Sequence, residues 1–97
     1  MSKQSILKKI IKNRSKVRQF DVKKIGLFGS YANGTQKKNS DIDILVEFRK
    51  KTFDNYMNLK FFLEKLLKTK IDLVLSDALK PQLKSSILKE VEYAQGI

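Results

Sequence analysis

The chain has 97 residues with no cysteine and no histidine. That is enough for one domain, residues 1–97, around a modest core, and it excludes disulfide frameworks, thiolate zinc sites, histidine metal ligands and histidine general bases. The formal net charge of +11 is uneven: residues 1–24 carry nine Lys/Arg against one acid and residues 49–70 carry seven against two, while 25–48 and 71–97 are each at −1.

Taken in chain order, residues 3–18 read as one amphipathic helix, with Ile6, Leu7, Ile10, Ile11 and Val17 on one face at spacings of three, four and seven. Val22 to Phe28 is a short apolar strand. Gly29 and Gly34 punctuate the turn after it, Ser30 suits the cap of a helical turn through Tyr31-Ala32, and residues 35–40 form a polar loop. Asp41 to Phe48 is the clearest strand, with Asp41, Asp43 and Leu45 on one face and Ile42, Ile44, Val46 and Phe48 on the other. A second helix near 54–68 has Tyr56, Met57, Phe61, Leu63, Leu66 and Leu67 as its inner side, with Phe53 as a staple. Ile71 to Leu75 is a third strand. Pro81 opens a last helix, roughly 81–94, lined by Leu83, Ile87, Leu88 and Val91. The order helix–strand–strand–helix–strand–helix predicts an α+β domain whose small sheet is covered by helices.

The chemistry sits between the first two strands. A glycine and a serine at a strand exit, Gly29-Ser30, let backbone N–H groups come close to a phosphate. Asp41 and Asp43, at i and i+2 on a strand, project from one face and repel each other unless a cation lies between them. Hard divalent ions such as Mg²⁺ take such oxygen ligands together with substrate phosphates. Asp72, on another strand, completes a candidate two-metal set of Asp41, Asp43 and Asp72. Single aspartates at strand edges are commonly solvated surface groups, and turn glycines are common; the spacing of the whole set sets this one apart.

Gly29-Ser30, ten residues, then Asp41-Ile42-Asp43 resembles the signature of the polymerase-β-like nucleotidyltransferase superfamily. The short chain is similar to its minimal nucleotidyltransferase (MNT) branch, many members of which are antitoxins paired with HEPN-domain toxins. Lys70-Ile71-Asp72-Leu73-Val74 resembles the strand of the third carboxylate, and Asp77 to Glu90 the closing helix. The resemblance implies a mixed sheet, with Asp41 and Asp43 on both metal ions, Asp72 on the one that activates the acceptor, and Gly29, Ser30, Asn33 and Gly34 around the nucleotide. It also implies transfer of AMP from ATP to a tyrosine hydroxyl of a HEPN toxin, in a hetero-oligomer with it. Asn33 departs from the pattern, because many relatives carry a basic residue there; Lys37 and Lys38 could replace that charge.

Other readings compete. The domain could mask a partner without chemistry, or use its charge on nucleic acid, although no zinc pattern, RNP motif or helix-turn-helix supports the latter. A small-molecule adenylyltransferase reading is weakened by the lack of residues for an acceptor domain. No apolar stretch approaches the ~18–20 residues of a membrane span and no signal-peptide core is present, so a cytoplasmic location is expected.

Overall fold

In the computed structural model, which describes residues 1–97, the amphipathic N-terminal stretch folds as two helices rather than one. Helix α1 (Lys3–Lys12) begins at a capping box in which Ser2 and Ser5 satisfy each other's backbone amides. It ends at Asn13, whose side-chain amide donates to the Lys9 carbonyl at 2.8 Å and competes with the helical ladder. Helix α2 (Arg14–Arg18) follows. Ile6, Ile10 and Val17 are fully buried, as the periodicity requires.

The remaining elements are β1 (Val22–Phe28), α3 (Ser30–Asn33), β2 (Ile42–Phe48), α4 (Phe53–Leu67), β3 (Ile71–Leu75), a 3-10 turn (Ser76–Ala78), α5 (Pro81–Glu90) and β4 (Glu92–Tyr93). The strands form one sheet in the order β3-β2-β1-β4. β1 runs antiparallel to β2 and β4, whereas β2 and β3 are parallel, joined through α4. The architecture is therefore α+β with a mixed sheet, as the element order and the resemblance implied. Ile42, Ile44 and Val46 of β2 join Ile25, Leu27 and Leu73 and the buried stripes of α1, α2 and α4 in one core. Alternation along β2 sends Asp43, Leu45 and Glu47 to the other face. No helix is long and apolar enough to cross a membrane.

Three expectations are corrected. First, α4 buries Leu59, Leu63 and Leu67, while Phe61 is 58% and Phe53 77% exposed. Phe53 is no staple; Thr52 starts the helix by accepting from the Asn55 amide at 3.0 Å. Second, the last helix stops at Glu90, because Val91 turns extended and Glu92-Tyr93 pair with Leu27 and Gly26 of β1. Third, α5 buries none of its residues, and its apolar stripe is surface: Leu83 is 51% and Leu88 43% exposed.

Side chains of α4 take up two backbone groups on the outer edge of β3. Tyr56 Oη donates to the Leu73 carbonyl at 2.6 Å and Glu64 Oε2 accepts from the Ile71 amide at 3.2 Å. These two side chains, two turns apart on one face of α4, satisfy backbone groups that would otherwise invite a further strand.

Candidate active site

β2 begins where the Ile42 amide donates to the Lys70 carbonyl at 3.0 Å, which aligns the first residues of β2 and β3. The parallel register then sets Asp43 opposite Asp72, and the antiparallel register on the other side sets Asp43 opposite Phe28. Asp43 thus stands between Asp72 and the end of β1, where the chain turns through Gly29 into α3.

Gly29 makes that approach possible. Its φ of 73° and ψ of −152° lie in a region that essentially only glycine adopts. A Cβ at this position would come within 2.1 Å of Asp43 Oδ2, so the turn packs directly on the carboxylate. The Gly29 carbonyl accepts from the amides of Ala32 and Asn33, which starts α3 with Ser30 as its first residue. Gly34, at φ 78°, closes α3 in the left-handed region with open space around it. Asn33 points its oxygen inward to the Thr35 amide and hydroxyl, which leaves only its NH₂ free to meet a ligand.

Burial, the charge of Asp72, a hydrogen bond with Asp72 and the charge of Asp41 together raise Asp43 from 3.8 to about 6, against a smaller opposing effect of the Ser30 backbone hydrogen bond. Asp41 precedes the first residue of β2 and, like Asp72, is exposed. Asp43 and Asp72 are therefore the intimate pair, and Asp41 acts on them through charge; the three do not close into a ready-made cage. Three carboxylates whose mutual repulsion resists ionisation, all offering oxygen, suit a hard divalent cation such as Mg²⁺. None of the surface cavities includes these acids, of which Asp41 and Asp72 are exposed and Asp43 is half-buried; the nearest to the turn, about 310 Å³, lies between the start of α1 and α3 and is lined by Tyr31, Asn33 and Gln36 among others.

Sequence reasoning named the seven residues Gly29, Ser30, Asn33, Gly34, Asp41, Asp43 and Asp72; the fold brings Gly29, Ser30, Asp41 and Asp72 around Asp43, whereas Asn33 and Gly34 line the cavity beside α1. One contact escaped it. The Gly29 amide donates to Glu90 Oε1 at 2.9 Å, from the last residue of α5. A partner 61 positions away leaves no local trace.

Comparison with known proteins follows this geometry. Residues 5–94 match the family model described as a nucleotidyltransferase domain. The chain is 41% identical over 76 residues, 77% of its own length and 77% of the relative's, to protein adenylyltransferase MntA of Thermococcus cleftensis. A solved structure assigned to a minimal nucleotidyltransferase superposes with a TM-score of 0.82 at 29% identity, covering 95% of each chain. An MNT antitoxin solved in complex with a tri-AMPylated HEPN toxin of Shewanella oneidensis superposes with a TM-score of 0.67 at 25% identity, over 98% of this chain and 73% of that one.

Proposed function

The chain belongs to the nucleotidyltransferase domain family, and from that premise we propose that it is a protein adenylyltransferase serving as an antitoxin, which moves AMP from ATP onto a tyrosine hydroxyl of a HEPN-domain toxin in the cytoplasm. The observation that carries the reading is the pairing of Asp43 with Asp72 against the Gly29–Ser30 turn. Similarity to an MntA adenylyltransferase and to an antitoxin seen with an AMPylated toxin supports the acceptor class.

In this reading Ser30 offers its hydroxyl to a phosphate oxygen, and Asn33 offers its free NH₂ beside it. Gly29 and Gly34 keep the turn clear of Cβ atoms, so the triphosphate lies close to the backbone. Asp41, Asp43 and Asp72 would hold two Mg²⁺ ions, which would supply acidity to the acceptor hydroxyl and charge to meet the departing pyrophosphate. The tyrosine oxygen attacks the α-phosphorus, the bond to the pyrophosphate oxygen breaks, and the hydroxyl proton leaves on the open, solvated side where Asp72 is exposed. The basic surface around this acidic centre steers ATP toward it.

Intact-mass spectrometry of a co-expressed HEPN toxin, incubated with this protein, ATP and Mg²⁺, tests the reading. Discrete AMP additions that disappear with Asp43→Asn are expected. A toxin that stays unmodified yet bound and silenced would overturn it in favour of masking, a role for which the exposed Phe53, Leu83 and Leu88 offer apolar surface.

A further inference from the structure

Gly29 is the hinge between the metal-site carboxylate and the phosphate turn; its carbonyl is taken by the Ala32 and Asn33 amides of α3, and its amide has no partner in the sheet. β4 pairs with Gly26 and Leu27 of β1 and goes no further. The N–H of Gly29 instead donates to Glu90 Oε1 at 2.9 Å. Glu90 is itself well anchored, because β4 fastens the chain to β1 two residues later through the Leu27–Glu92 pair. Gly26 adds to that fastening: a Cβ there would come within 2.8 Å of Val91 Cγ2 and 2.9 Å of the Glu92 carbonyl.

We propose that Glu90 is a positioning residue for the nucleotide turn: its carboxylate holds the Gly29 amide and thereby fixes Ser30 and Asp43 relative to each other. The inference rests on the nucleotidyltransferase reading of the site. The logic is geometric. Gly29 occupies a φ/ψ region that gains nothing from the rest of the chain's preferences, so it needs an external hold. An amide has one hydrogen to give, and here it is given to a charged acceptor, the stronger kind of bond. While Glu90 keeps that hydrogen, the Gly29 amide is a support for the turn and not a phosphate ligand; phosphate contact falls to Ser30. A negative charge so close to a triphosphate is unfavourable unless it serves as an anchor, and α5, with no buried residue of its own, gives Glu90 no packing role.

Two variants and three readouts test this. Glu90→Gln keeps an oxygen acceptor and Glu90→Ala removes it. In ¹⁵N-correlated NMR spectra the Gly29 amide, one of only four glycine signals, is expected to shift upfield and to gain temperature sensitivity in Glu90→Ala and to stay near its place in Glu90→Gln. Binding of AMP-PNP with Mg²⁺, followed by calorimetry, is expected to weaken about tenfold in Glu90→Ala and to remain within about threefold of the parent in Glu90→Gln. The KM for ATP should follow the binding constant, with kcat little changed. Binding in Glu90→Ala that equals the parent's, or exceeds it, overturns the proposal; the latter would make Glu90 a competitor of the phosphate. A parent protein that binds no nucleotide at all overturns the nucleotidyltransferase reading as well, so the two failures are told apart by the parent alone.

Discussion

Asp43 is the residue on which the molecule's charge economy turns. Held at about 6 against an ordinary 3.8, it binds its proton more tightly folded than unfolded. The stability this confers is present in full below 3.8 and is lost as the pH rises through about 6. Without metal, Asp43→Asn should therefore raise the thermal midpoint at neutral pH, and the gap to the parent should close as the pH falls through about 6; a gap that stays constant would deny the repulsion. The same variant should lose AMP transfer. Gly29 and Gly34 make a matched pair for a second prediction. Both have positive φ, but only Gly29 has a carboxylate against it. Gly29→Ala should cost about 2 kcal/mol or more and abolish nucleotide binding, whereas Gly34→Ala should cost about 1 kcal/mol, as read by chemical denaturation. Residue identities at this site were legible because Gly-Ser and Asp-x-Asp are local patterns. The environment of Asp43 was legible only in part: two carboxylates on one face could be foreseen, but not the Gly29 backbone packed on it or the Ser30 amide aimed at it.

Among the elements, the apolar strands and α4 were readable from alternation and helical period. The failures have causes that apolar periodicity does not record. Asn13 breaks the first helix because its side chain bonds back to Lys9, a choice that an apolar stripe does not record. β4 exists only through two residues that pair across the whole chain with β1, and nothing local distinguishes Val91-Glu92-Tyr93 from one more helical turn. The stripe on α5 has the right period yet meets solvent, so period alone does not establish burial. Leu63→Ala in α4 should accordingly cost about 2–5 kcal/mol, while Leu83→Ser or Leu88→Ser in α5 should stay within about 0.5 kcal/mol. Urea titrations of the three variants would check this, and a large loss at Leu83 or Leu88 would mean that α5 packs after all. Tyr56→Phe, which removes the hydroxyl from the Leu73 carbonyl, should cost about 1 kcal/mol by the same measurement.

Across the whole molecule, the net charge of +11 is concentrated in residues 1–24 and 49–70, outside the two segments that carry Asp41, Asp43 and Asp72. The fold class followed from element order, whereas the strand order β3-β2-β1-β4 depended on pairings that no window of sequence contains. Two backbone groups on the outer edge of β3 are already taken. Tyr56 and Glu64 stand at the β3 border of the sheet, and the two residues of β4 form the other. A visitor approaching the β3 border meets the side chains of Tyr56 and Glu64 before it meets the Leu73 carbonyl and the Ile71 amide.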